Sequence, residues 1–140
     1  MKVQNRKILV VDDDPIVLES CRRVLEPEGY LVTCVPSADD AFDNLEIGYF
    51  DLMIMDLKMP EQDGFYLLGK VKEKWPLERF LELPVLVMTG YPTHETLREL
   101  KKSGVRQFIP KPFTPDELLA AVHKAMKRRQ TNEKNESPGD

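Results

Sequence analysis

The chain has 140 residues, and its 20 basic and 24 acidic side chains leave a net charge of −4. That length allows one core, burying about 70% of the surface of the unfolded chain, while the charge balance argues against direct binding to nucleic acid or an anionic membrane. No stretch approaches the ~20 apolar residues of a membrane span, and the N-terminal apolar run is too short for a secretory signal. The two cysteines, Cys21 and Cys34, fit neither a metal spacing nor a disulfide framework and read as reduced, partly buried thiols of a cytoplasmic protein.

In chain order, the first apolar run, Lys7–Val11, predicts a strand that ends in Asp12-Asp13-Asp14. Asp14 reads as the cap of a helix with Pro15 at its first position, and Ile16, Val17, Cys21, Val24 and Leu25 form its apolar face. Gly29 ends that helix. Leu31–Val35 predicts the second strand, and Ser37 caps a helix whose face is Ala38, Ala41, Phe42 and Leu45, ending at Gly48. The third strand, Asp51–Met55, delivers Asp56 at its end. Met59-Pro60 and Gly64 supply turn chemistry, with Gly64 expected to take an unusual backbone angle.

A third helix follows through Phe65, Leu68, Val71 and Trp75, and Trp75, beside Pro76, is expected to close it against the core. Pro84–Met88 predicts the fourth strand, which ends in Thr89-Gly90. The fourth helix, about Thr93–Lys102, carries Leu97 and Leu100 inward and stops at Gly104. Gln107–Pro110 is the fifth strand and runs into Lys111-Pro112. Thr114 then caps the fifth helix, about Thr114–Arg128, with Leu118, Leu119, Val122 and Met126 on one face. Residues 130–140 are polar and predict a disordered tail or a linker cut short.

The first, third and fourth runs are nearly continuous in apolar residues, the pattern of strands covered on both faces. Five strands alternating with five helices define an α/β, doubly wound (βα)5 fold of the flavodoxin-like type. In such sheets ligands bind at the carboxyl ends of the strands, near the point where strand order reverses. Asp12, Asp13, Asp56, Thr89 and Lys111 all fall on that edge. Carboxylates gathered at ~4 Å repel by about 4 kcal/mol per pair at an effective dielectric of 20, so the cluster raises its pKa values or recruits a cation. Mg²⁺, hard and content with one or two carboxylates plus waters, suits it. Acids, a divalent metal, a lysine and a hydroxyl together are suited to holding phosphate oxygens.

The segments ILVVDDDP, DLMIMDLKMPEQDGF, PVLVMTG and FIPKPFTPDEL, in this order, resemble the motif set of response-regulator receiver domains. Any one alone is weak; four in order at strand ends are specific. The resemblance covers residues 5 to about 129, places the domain at 1–129, and implies a five-stranded parallel sheet of order 2-1-3-4-5. It implies that Asp56 takes a phosphoryl group from a histidine kinase or a histidine phosphotransfer protein. Asp12, Asp13, Asp56 and the backbone carbonyl of Lys58 would hold Mg²⁺. Thr89, Lys111 and the Gly90 backbone N–H would bind phosphoryl oxygens, and the Lys111-Pro112 bond would be cis.

Thr89 and Phe108 are the implied switch pair, with output through the fourth helix, fifth strand and fifth helix. The resemblance leaves open a phosphorylation-dependent dimer, and it implies no catalysis beyond self-phosphorylation and slow dephosphorylation. Two departures stand out. The stretch KWPLERFLEL is longer than the family pattern and is expected to form an extended helix end or a loop away from the chemistry. Lys58 and Tyr91, two positions beyond Asp56 and Thr89, are expected to hinder an attacking water and prolong the phosphorylated state.

Other residues have simpler readings. Asp14 is a cap, Asp51 a solvated turn residue, His94 and His123 surface positions, and Met53, Met55 and Met88 core. Lys124, Lys127, Arg128 and Arg129 complement a helix C-terminus. A haloacid-dehalogenase-type phosphatase would want an acid at position 58, where Lys58 stands. A flavodoxin-like binder would find its phosphate repelled by DDDP. A degenerate scaffold receiver would lack part of the acid, hydroxyl and lysine set, all of which is present.

Overall fold

A computed structural model describes residues 6–59, 62–90 and 92–135, with residues 128–135 described by backbone alone. Tyr91, Pro60, the side chains of Arg128 and Arg129, and the chain beyond 135 therefore lie outside the described residues. The apolar runs form strands β1 (Lys7–Val11), β2 (Leu31–Val35), β3 (Leu52–Asp56), β4 (Val85–Thr89) and β5 (Gln107–Pro110). The intervening segments form α1 (Pro15–Leu25), α2 (Ala38–Ile47), α3 (Gly64–Lys74), α4 (Leu77–Leu81), α5 (His94–Lys102) and α6 (Pro115–Asn135), with a 3₁₀ turn at Glu26–Glu28. All strand pairs are parallel, in the order β2-β1-β3-β4-β5.

Alternation of side chains along the strands divides the interior in two. Leu9, Val11, Met53, Met55 and Val87 pack beneath Phe42, Leu45, Leu68, Val71 and Leu100, hence under α2, α3 and α5. Ile8, Val10, Leu52, Ile54, Leu86 and Met88 pack against Cys21, Leu25, Leu118 and Val122 of α1 and α6. Each such side chain contributes about 1.5–3 kcal/mol on burial, so the central strands, buried on both faces, are the firmest part of the molecule.

Helix starts follow the capping residues. Asp14 accepts from the Ile16 N–H at 2.9 Å, Ser37 from Asp40 at 3.1 Å and Thr93 from Thr96 at 3.1 Å. At α6, the Thr114 hydroxyl accepts from Glu117 N–H at 3.1 Å while the Glu117 carboxylate accepts from Thr114 N–H at 2.8 Å, a reciprocal capping box. Gly29 and Gly104 adopt left-handed backbone angles, φ 101° and 89°, and so end their segments without Cβ strain.

The structure departs from the sequence expectations in several places. Among the described residues there are six helices rather than five: KWPLERFLEL is neither an extended helix end nor a loop. The α3 helix ends at Trp75, whose N–H bonds the Val71 carbonyl at 2.8 Å, and α4 restarts after Pro76. Phe80 then buries against the core, and the Arg79 guanidinium stacks 3.7 Å from the Trp75 ring and donates to the Leu45 carbonyl. Because α4 precedes β4, it sits at the amino end of the sheet, opposite the acids.

Gly64 is helical and has no unusual angle. A Cβ there would lie 3.0 Å from Met55 Cε and 3.2 Å from the Asp56 carbonyl oxygen, so close approach of α3 to β3 is what requires glycine. Asp51 is no mere turn residue. Its carboxylate accepts from the Lys7 N–H at 2.8 Å and its own N–H donates to the Lys7 carbonyl, tying β3 to the start of β1. Finally, α6 continues through 130–135, where irregular chain was expected; Gln130, Glu133 and Lys134 in that stretch are good helix formers.

Candidate functional site

The chain passes from β1 to β2 on one side and returns to β3 on the other, so the order reverses beside β1. The register aligns Val11 with Met55, Asp56 with Met88 and Thr89 with Pro110, which brings the residues at the carboxyl ends level with one another. Asp12, Asp13 and Asp56 converge there, each offering a carboxylate oxygen within 4.8 Å of the others. Asp12 is fully buried and Asp56 nearly so, while Asp13 is exposed.

Lys111 reaches across from the end of β5. Its Nζ lies 2.8 Å from Asp12 Oδ2 and 3.3 Å from Asp56 Oδ2. The other Asp12 oxygen accepts from the Asp14 N–H at 2.9 Å. The Lys111 N–H donates to the Thr89 carbonyl at 2.8 Å, which anchors the lysine backbone to β4, and the Lys111-Pro112 peptide bond is cis. Thr89 is buried; Gly90 is exposed, with open space where a Cβ would stand. Phe108 points outward, 43% exposed, and Lys58 is exposed at its side chain.

Electrostatics follow from this crowding. Burial and then the Asp12 charge push the Asp56 carboxyl above the usual carboxylate range, and Lys111 and the Lys58 N–H only partly offset them. Burial alone would lower the Lys111 pKa, but the Asp12 hydrogen bond and the two acidic charges outweigh it and the group is raised. One ammonium therefore balances two buried carboxylates, leaving net negative charge in a hard-oxygen site. That donor set fits Mg²⁺. It offers no soft ligand: Cys21 is buried in the α1 side of the core, its thiol pushed up to about 12 mainly by burial.

His94 and His123 are exposed on α5 and α6, and Met53, Met55 and Met88 are core. A cleft of about 30 Å³ beside Trp75 and Arg79 has room for about one water and is no competing substrate site. Sequence reasoning missed one group near the site. Asp39, at the start of α2, gathers Gln62, Tyr66 and Lys70 around its carboxylate. The i, i+4, i+8 spacing of those three residues was the available signal, but it did not say which acid they would meet.

The response regulator receiver domain family matches residues 8–123, and the chain belongs to it. A 14.6 kDa protein of Leptolyngbya boryana, named from its position beside sodA1, is 40% identical over 115 residues, 82% of this chain and 86% of that protein. Response regulator Rre1 of Synechocystis sp. is 36% identical over 89% of this chain, and the transcriptional regulatory protein BasR of Escherichia coli is 32% identical over 91%. The chain spans only 53% and 54% of those two regulators.

Among solved structures, a CheY-like receiver domain protein from Methanospirillum hungatei superposes with a TM-score of 0.81 at 29% identity, covering 92% of this chain and 99% of that one. Chemotaxis protein CheY4 of Vibrio cholerae gives 0.80 at 26% identity, with 86% and 98% coverage. The protein is thus a receiver domain of two-component signal transduction, a signalling module.

Proposed function

We propose that Asp56 is the phosphoacceptor and that phosphorylation there switches the α5–β5–α6 face. The observation that carries this is the convergence of Asp12, Asp13, Asp56 and Lys111 around one point. A carboxylate oxygen of Asp56 attacks the phosphorus of a phosphohistidine on a sensor kinase or histidine phosphotransfer protein. The O–P bond forms as the P–N bond breaks and its electron pair returns to the imidazole. No general base is needed, because the nucleophile is already ionised.

Asp12, Asp13, Asp56 and the Lys58 carbonyl would hold Mg²⁺, which when bound neutralises charge on the acids and on the phosphoryl oxygens. Lys111, already between Asp12 and Asp56, turns its ammonium to the transferred group, and Thr89 donates its hydroxyl. The Gly90 N–H adds a further donor. Phosphoryl transfer passes through a loose transition state with charge on the equatorial oxygens, so preplaced positive charge does most of the work.

As Thr89 moves toward the phosphoryl group, Phe108 turns into the vacated space; lacking a hydroxyl, it leaves no buried donor unpaired. Output then passes to an effector at α5, β5 and α6, or to a second copy of the chain, without this domain itself binding nucleic acid. Self-catalysed hydrolysis is slow, with Lys58 beside the site. The receiver unit is 1–129, with 130–140 a tail or linker, and its place of work is the cytoplasm. Acetyl phosphate with Mg²⁺ should add one phosphoryl group by intact mass and none to Asp56→Asn. Equal labelling of that variant would overturn the assignment.

A further inference from the structure

Asp39 stands in the first turn of α2, outside the acid cluster, yet it holds the loop that leaves Asp56. With its amide nitrogen facing the carboxylate, Gln62 donates to Asp39 Oδ1 at 3.2 Å and Oδ2 at 2.9 Å. The Tyr66 hydroxyl and Lys70 Nζ both approach Oδ1 at 3.3 Å, and Lys70 also lies 4.6 Å over the Phe42 ring of α2. One carboxylate thus gathers three donors spaced four residues apart, and the first of them lies in the loop between β3 and α3.

The described residues at either end of that loop are held as well. The Gly64 N–H closes it on the Leu57 carbonyl at 2.9 Å, Asp63 caps α3 by accepting from the Tyr66 N–H at 2.9 Å, and Met59 is buried. The Lys58 N–H bonds Asp56 itself. The described ends of the loop are therefore set by β3 and α3, and Asp39 adds a lateral tie from Gln62 to α2.

We propose that Asp39 is a positioning residue: through Gln62 it fixes the segment that carries the Lys58 carbonyl, and so sets how tightly the site binds Mg²⁺. This rests on the reading of Asp56 and its neighbours as a Mg²⁺-dependent phosphoacceptor site. The tie is half exposed, so the effect is moderate, at most about fivefold in affinity.

The test uses the whole chain and Mg²⁺ alone. Calorimetric titration should give a dissociation constant about two- to fivefold weaker for Asp39→Ala and Asp39→Asn. In metal-free protein, the Gly64 amide should exchange faster in both variants. The rate of acetyl phosphate labelling at saturating Mg²⁺ should stay at the wild-type value. Exchanging donor and acceptor, Asp39→Asn with Gln62→Glu, should restore much of the affinity that Gln62→Glu alone loses. Unchanged Mg²⁺ affinity and Gly64 exchange in Asp39→Ala, with wild type binding and labelling normally, would overturn the role of Asp39 alone. A wild-type chain that neither binds Mg²⁺ nor labels would overturn the site reading beneath it.

Discussion

At the scale of single residues, the site places Asp56 where its charged form is disfavoured until a cation arrives. Burial and the Asp12 charge raise its carboxyl pKa. A raised folded pKa contributes stability that is full below the ordinary carboxylate value and is lost as pH rises through the folded one. Ionised Asp56 therefore weakens the metal-free fold at neutral pH. In chelator, Asp56→Asn should melt about 3 °C above wild type at neutral pH, with the gap closing as the solution is acidified. Lys111 keeps its 2.8 Å bond to Asp12 in that variant, so the loss of its 3.3 Å contact with Asp56 should not cancel the gain. Calorimetry across pH checks this; a lower melting point at neutral pH would refute it.

That Asp12, Asp13, Asp56, Thr89 and Lys111 share one edge was readable in the sequence, because each was expected to follow a strand and strand ends share an edge in a parallel sheet. Asp39 was not. Its partners come from α3 and the loop before it, which meet α2 only through tertiary packing, and an acid in a first helical turn is ordinarily explained by the helix dipole.

At the scale of elements, β1, β3 and β4 were legible because four consecutive Val, Ile, Leu or Met residues carry the signal of two-sided burial. Their bounds moved by one residue at β3 and β4, which brings Asp56 and Thr89 inside the strands rather than just past them. The short α4 was hidden: Leu77–Leu81 is too brief for helical periodicity, and Trp75-Pro76 reads equally as the end of a longer helix. Phe80 anchors it, 7% exposed, with Lys72 over its ring at 5.2 Å. Phe80→Ala should cost about 3 kcal/mol in denaturant unfolding while leaving the labelling rate at Asp56 unchanged, because α4 lies at the opposite end of the sheet. A parallel fall in labelling rate would mean that α4 reaches the site.

At the scale of the whole molecule, the proposed switch pair starts from opposite positions: Thr89 is 3% exposed, and Phe108 is 43% exposed on β5. Moving such a surface from 1:99 to 99:1 takes about 5.5 kcal/mol of preferential stabilisation, a demand that charge-assisted bonds to a phosphoryl group from Lys111, Thr89 and Gly90 can meet together. With Trp75 replaced by Phe as background, Phe108→Trp emission should shift to the blue on labelling, and Thr89→Ala should abolish the shift without abolishing labelling. An unshifted spectrum on full labelling would place the output elsewhere.

The most direct measurement concerns the bond itself. An aspartyl phosphate is an acyl phosphate, and borohydride reduces it to homoserine at the modified position. After exposure to acetyl phosphate and Mg²⁺, peptide mapping should find homoserine at position 56 alone, and none when Mg²⁺ is removed by a chelator. Homoserine at Asp12 or Asp13, or at no position in a chain that has demonstrably bound Mg²⁺, would contradict the assignment of Asp56.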